Sequence, residues 1–299
     1  MPSHRATSAT NVSLKFLLKT SRPRFWMYVM GTVILGFLAA TPPLTLLPLA
    51  AYLLVYFSFP ANLLIYGVND IFDFATDQHN SKKGTYEVLL QPSQRNRVWL
   101  SIILLNLFFL LPLMYLELSH GGFMVSLALL GFLFFGIFYS APPIRAKEIP
   151  FLDSFFNILY VFPGIAAYLV GGGNRINLPI LVAATAWCMA MHAFSAVPDI
   201  AADKKAKLKT VATVLGDRKT LIFCACLYGL SAVLTYPSLG YQAVLLGAGY
   251  VGIMVSSLQK NSKKAPHGDA IFATYKNFPL LNALAGAILT ILLLRQWLS

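Results

Sequence analysis

Residues 62–87 read NLLIYGVNDIFDFATDQHNSKKGTYE. An apolar run long enough to cross a bilayer ends in Asn69, Asp70, Asp73 and Asp77, and two lysines, Lys82 and Lys83, follow. At about 3.6 residues per turn, Asn62, Tyr66, Asn69, Asp73 and Asp77 fall near one helix face with Asp70 beside them, a ladder of oxygen ligands. One aspartate in such a place reads as a helix end dissolving in interfacial water. Three unpaired carboxylates this close raise each other's pKa values unless a cation sits among them. Mg²⁺ suits the donor set, since it is usually held by one or two carboxylates together with the phosphates of a substrate.

Outward from this stretch, the composition sets the class. Of 299 residues, 57% are hydrophobic and 11% charged, whereas a soluble domain carries roughly a quarter charged residues. The chain reads as an all-α, polytopic membrane protein. A span needs about 20 apolar residues, and nine runs qualify: 25–41, 44–68, 98–116, 122–139, 151–170, 178–197, 220–236, 241–258 and 278–294. Residues 1–24 form a basic N-terminal segment, with an interfacial helix expected to carry Lys15, Lys19 and Arg22, and residues 25–299 form the transmembrane domain. That segment lacks the apolar core and small-residue site of a cleavable signal peptide.

A net charge of +12 suggests a nucleic-acid surface, but its placement argues otherwise. With the N-terminus inside, 21 of the 23 lysines and arginines lie on inner segments, Arg175 and Arg295 being the exceptions. That asymmetry follows the positive-inside rule and places the N-terminus and the inner loops in the cytoplasm. The basic excess is a topology signal, with anionic lipid and a phosphorylated substrate as secondary partners. Ten of the eleven acidic residues, all but Glu117, belong to the same face. Cys188, Cys224 and Cys226 fall in spans without ligand spacing and read as packing residues that form no disulfide.

A second acidic cluster follows the sixth span, in HAFSAVPDIAADKKAKLKT. Asp199 and Asp203, at i and i+4, share a helix face, and Lys204, Lys205, Lys207 and Lys209 come directly after. An acid cluster followed by a basic run repeats the order of Asp70 to Lys83, 129 residues earlier counted from Asp70 to Asp199. Two carboxylate groups facing one another could hold cations on both sides of a diphosphate, while lysines bind its outer oxygens. Alone, the second cluster also reads as a solvated helix end.

After the fourth span, YSAPPIRAKE uses Pro142 and Pro143 to end the helix and aim Arg145 and Lys147. Arg145 can bind phosphate oxygens in bidentate fashion and Lys147 as a point charge; the simpler reading is a stop signal with positive-inside charges. Within the spans, Asp153 and Asn157 share a face, and His192 lies about two turns deeper than Asp199. His192 reads either as a group that steadies a cation or takes a proton, or as a neutral histidine bonded to a neighbouring helix.

Together, Asn69-Asp70-x-x-Asp73-x-x-x-Asp77, Tyr139-Ser140-x-Pro142-Pro143 with Arg145 and Lys147, and Asp199-x-x-x-Asp203 resemble the motifs of the UbiA superfamily of intramembrane prenyltransferases. The resemblance covers nearly the whole chain. It implies nine transmembrane helices in one bundle around a central cavity that opens to lipid, capped by the motif loops. It also implies Asn69, Asp70, Asp73, Asp77, Asp199 and Asp203 around Mg²⁺, with the last three aspartates and Asp73 as catalytic groups. Asn69, Lys82, Arg145, Lys147, Lys204 and Lys205 then contact the diphosphate of an isoprenoid donor.

The acceptor is read from a departure. Family members acting on aromatic rings or glycerol ethers commonly follow the first motif with an arginine-rich R-P segment, whereas this chain has Asn80-Ser81-Lys82-Lys83-Gly84, then Tyr86-Glu87. With Ser21-Arg22-Pro23-Arg24-Phe25-Trp26, that variant resembles the lycopene elongase branch, which implies a dimethylallyl donor and a polyene acceptor. An aromatic acceptor of the hydroxybenzoate or naphthoate type is the rival within the class. A cation-coupled secondary transporter is the rival outside it, but transporters keep charges near the bilayer midplane, and here they gather at one face. No protein partner is indicated.

Overall fold

The computed structural model describes residues 12–78, 83, 87–261, 271, 274–275 and 278–299. Among these the chain is almost wholly helical and includes no strand. Seven helices are long and apolar enough to cross a membrane, and two shorter apolar helices accompany them, Pro23–Ala39 and Met124–Phe138. Each of the nine apolar runs falls on one of these. By its contacts the chain divides into two units, one of Met1–Ile144 with Pro163–Gly172, the other of Arg145–Phe162 with Gly173–Ser299.

The first unit opens with α1 (Leu14–Thr20), started by the Ser13 hydroxyl, which accepts from the Phe16 amide at 3.2 Å. The interfacial helix expected from the sequence is therefore present as a helix, with Arg22 two residues past its end. Next come α2 (Trp26–Ala39), α3 (Leu47–Phe72), the single turn α4 (Phe74–Asp77), α5 (Arg95–Ser119) and α6 (Met124–Phe138). Helix α3 packs on α2, α5 and α6. Phe57 and Phe132 meet edge to face at 5.3 Å, and the buried Tyr56 hydroxyl donates to Asn106 Oδ1 at 2.8 Å. At Gly36 on α2, an added Cβ would stand 2.0 Å from the Gly164 carbonyl oxygen, so two backbones meet there with no room for a side chain.

Pro60 lies inside α3 and removes one helical hydrogen bond. Just beyond it, Asn62 bonds back to its own helix: its Nδ2 donates to Phe57 O at 3.0 Å and to Ser58 O at 2.6 Å. The expected run of ligands on α3 therefore starts higher than the sequence suggests. Asn62 faces its own helix, and only residues from Asn69 onward belong to the polar end.

In the second unit, α7 (Leu152–Phe155) is followed by a 3₁₀ stretch, Phe156–Tyr160. Helix α8 (Phe162–Val170) continues that span, and from Pro163 on its residues belong to the first unit. The fifth apolar run is thus broken where one helix was expected. Pro163 offers no N–H and disfavours helical geometry at the residue before it. The second unit then holds α9 (Leu178–Ala196), α10 (Ile200–Lys205), α11 (Val211–Leu239), α12 (Tyr241–Asn261) and α13 (Phe278–Leu298). Helix α11 packs on α9 and α12 around a core that includes Phe194, Leu221, Tyr228, Tyr250 and Met254. Tyr228 and Tyr250 stack at 4.7 Å, and the Tyr250 hydroxyl donates to Asn282 Oδ1 at 2.9 Å.

Helix α11 begins at Val211, nine residues before the expected 220, and bends at Gly216 (φ 73°, ψ 170°). Asp217, Arg218 and Lys219 hide this start from a hydropathy reading. Thr210 and Thr213 make it, through a reciprocal capping box. Cys188 and Cys224 are buried, Cys226 is exposed, and all three are free thiols.

Candidate active site

The first acidic cluster occupies the end of α3. The helix stops at Phe72, yet the Asp73 amide still donates to Asn69 O at 3.0 Å and the Asp77 amide to Asp73 O at 2.8 Å. This keeps Asn69, Asp73 and Asp77 on one side across the break. Asn69 Nδ2 donates to Asp73 Oδ2 at 2.8 Å and to Ser140 Oγ at 3.0 Å. Burial is the largest cause of a raised Asp77 carboxyl pKa, and Asp73 adds to it.

Asp70 stands apart from that face. Its side chain is 1% exposed, and Oδ1 accepts from Arg22 Nη2 at 2.9 Å and from Lys83 Nζ at 2.6 Å. Lys83 Nζ also lies 2.8 Å from Asp77 Oδ2 and 3.8 Å from Glu87 Oε2. Glu87 in turn pairs with Arg22 at 3.2 Å and with Arg24. The Arg22 guanidinium lies 4.6 Å over the Tyr66 ring, so Tyr66 is a platform for a cation rather than an oxygen ligand. Arg22 holds a left-handed backbone, φ 52°, which is costly for a residue with a side chain and is sustained here by its fixed partners.

In the second unit, Asp199 caps α10 by its backbone position, and the Asp203 amide donates to Asp199 O at 2.9 Å. Asp203 has its carboxyl pushed up to about 6, chiefly by burial and then by Asp199, while His192 and Lys147 pull it down. Lys147 and His192 therefore lie within electrostatic reach of Asp203. Lys204 and Lys205 are exposed in the last turn of α10. Arg145, left-handed at φ 49°, directs Nε to Glu148 Oε1 at 2.7 Å. Asp153 is fully buried: its Oδ2 accepts from the Val211 amide at 2.8 Å and lies 3.8 Å from His192 Nε2. Lys82 lies outside the described residues.

Sequence reading did not find Ser140 as the partner of Asn69, nor Lys83 and Arg22 as partners of Asp70. Tyr139-Ser140 was visible within the third motif. The ion pairs had no local signal, because Arg22 and Asp70 are 48 residues apart.

A membrane-embedded helical fold with two sets of paired carboxylates, each followed by lysines, defines a class that handles an anionic, metal-chelating substrate at the edge of the apolar phase. The chain belongs to the UbiA prenyltransferase family, whose sequence profile matches residues 29–278; it is an integral membrane prenyltransferase. Its relatives include the lycopene elongase/hydratase of Haloarcula japonica, 35% identical over 98% of this chain and 97% of that one. The Corynebacterium glutamicum protein of the same description is 30% identical over 94% and 97%. Among solved structures, a UbiA homologue from Archaeoglobus fulgidus bound to DMAPP and Mg²⁺ shares the fold, with a TM-score of 0.69 and 20% identity over 93% of this chain and 98% of that one.

The donors present fit Mg²⁺. They are all oxygens: Asn69, Asp73 and Asp77 in one unit, Asp199 and Asp203 in the other. Among the described residues no three His, Cys, Asp or Glu side chains form a ready-made cage. Two carboxylates per cluster is the number Mg²⁺ takes when a substrate's phosphates and water complete its octahedron. The upward-shifted Asp77 and Asp203 carboxyls are groups whose charge a cation would relieve.

Proposed function

We propose that this prenyltransferase transfers a dimethylallyl group from its diphosphate to an end of lycopene or a closely related carotenoid, with Mg²⁺. The observation that carries the reading is the 35% identity to a lycopene elongase/hydratase over 98% of the chain. It is supported by the Lys82-Lys83-Gly84 variant that follows the first motif.

In this reading Asn69, Asp73 and Asp77 in the first unit, and Asp199 and Asp203 in the second, are ligands for Mg²⁺, which carries the donor's diphosphate. When bound, Mg²⁺ neutralises the charge that develops on the departing diphosphate. Lys147, Lys204, Lys205 and Lys82 bind its oxygens as point charges, with Arg145 in support. The allylic carbon–oxygen bond breaks, both electrons leave with the diphosphate, and the terminal double bond of the acceptor attacks the allylic cation. The resulting tertiary cation ends by losing a neighbouring proton to form a double bond, or by adding water and then losing a proton. Apolar helix walls keep water from the first cation, which would otherwise be hydrolysed. The inner loops face the cytoplasm, as the distribution of basic residues indicates.

Purified protein given Mg²⁺, dimethylallyl diphosphate and lycopene yields a longer carotenoid by chromatography and releases diphosphate in proportion. Asp73→Ala and Asp199→Ala each abolish that turnover while the protein still inserts and folds. Diphosphate release with a hydroxybenzoate or naphthoate, and none with lycopene, would move the acceptor to the aromatic class.

A further inference from the structure

Among the described residues, Lys83 is the most enclosed cation of the first cluster. Its side chain is 3% exposed, and three carboxylates approach its ammonium: Asp70 at 2.6 Å, Asp77 at 2.8 Å and Glu87 at 3.8 Å. Two of the three are also engaged by arginine, Asp70 by Arg22 and Glu87 by Arg22 and Arg24. Asp77 joins this lattice to Asp73 on the α3 face, through its backbone bond to Asp73 O. A lysine directed into the protein in this way is not placed to meet a diphosphate from outside.

We propose that Lys83 is a positioning residue for the donor site, an internal cation that holds Asp77 and competes with the divalent metal for its carboxylate. Two opposed charges in direct contact share the carboxylate's lone pairs, so what Lys83 takes from Asp77 the metal does not receive. Arg22, itself paired with Glu87, completes the arrangement by fixing Asp70, which makes Asp70 the anchor of Lys83 rather than a metal ligand. The same pairs tie the turn after α1 to the first motif. Residues 12–28 precede the stretch that the family profile matches, yet Arg22 and Arg24 share the lattice. The inference rests on the reading of Asp77 as a cation ligand.

The test is Mn²⁺ binding, read by electron paramagnetic resonance on the full chain in detergent without substrate. Replacing Lys83 by Met frees Asp77 and tightens Mn²⁺ by roughly tenfold, the scale of one charged contact. Because Lys83→Met leaves Asp70 with Arg22 as its one remaining cation and can impair folding, Asp70→Asn/Lys83→Met removes one charge of each sign. That double variant also binds Mn²⁺ about tenfold more tightly than the wild type. A double variant that binds Mn²⁺ as the wild type does, or more weakly, overturns the proposal and leaves Lys83 a structural partner of Asp70 and Asp77 that does not compete with the metal. Binding by neither protein overturns it as well. Diphosphate release by the wild type with lycopene is scored separately, so a failure of the acceptor reading is not mistaken for a failure here.

Discussion

Asp153 Oδ2 accepts a hydrogen bond from the backbone N–H of Val211 at 2.8 Å, across 58 residues of sequence. Val211 is the first residue of α11, so a fully buried carboxylate from one span starts the helix of another within the second unit. Unpaired N–H groups at a helix start carry partial positive charge, which a carboxylate satisfies. Asp153→Ala leaves that N–H buried without a partner and lowers stability by roughly 1–3 kcal/mol. Asp153→Asn keeps an accepting oxygen and loses less. Thermal unfolding in detergent orders the midpoints wild type, Asn, Ala; an Ala variant as stable as the wild type removes the capping role.

Glu117 is the one acidic residue that the sequence places on the outer side, and it too starts a helix. Its carboxylate accepts from the Val125 and Ser126 amides and from the Ser126 hydroxyl, each at 2.6 Å. These amides belong to the first turn of α6. Glu117→Ala therefore costs about 1 kcal/mol, the ordinary worth of an N-terminal cap, and leaves kcat and KM for the donor unchanged. A large change in KM would assign Glu117 a different role.

Gly36 and Gly31 make an internal contrast on α2. At Gly36 a Cβ would stand 2.0 Å from a backbone oxygen, which cannot swing away as a side chain does, whereas at Gly31 nothing lies within 4 Å. Gly36→Ala is expected to reduce the yield of folded protein or lower its unfolding midpoint by far more than surface changes do. Gly31→Ala is expected to be neutral or slightly stabilising, since alanine favours the helix by about 1 kcal/mol. Equal behaviour of the two variants would deny the close crossing at Gly164.

The parts of this molecule legible from its sequence are those set by neighbours in sequence. Apolar runs marked every span, and Asp73 with Asp77 and Asp199 with Asp203 stood out because helical spacing brings each pair together. What stayed hidden depends on distant partners or on backbone repair. Asn62 looked like the first rung of the ligand ladder, but its amide group bonds carbonyls of its own helix. Asp70 looked equivalent to Asp73, and only the approach of Arg22 and Lys83 separates them. The early start of α11 at Val211 was masked by the charges around Gly216, a position where the chain needs a positive φ.

Asp203 gives the site a pH dependence whose direction follows from its partners. Its carboxyl is pushed up to about 6 in the folded chain, against about 3.9 when unfolded. A raised carboxyl pKa means that the folded protein without metal holds the proton more firmly than the unfolded chain does. Its contribution to stability is therefore full below about pH 4 and is lost as pH rises through about 6. Metal binding runs the other way, because a cation bound to Asp203 displaces that proton. Mn²⁺ affinity without substrate should fall roughly tenfold from pH 7.5 to pH 5, as one proton competes at a group of pKa about 6. Asp203→Asn has no such proton to lose, so its weaker affinity should change little over the same range. If the wild type binds Mn²⁺ equally at both pH values, Asp203 is not among the ligands, and the second cluster must hold its cation through Asp199 and groups that stay ionised throughout.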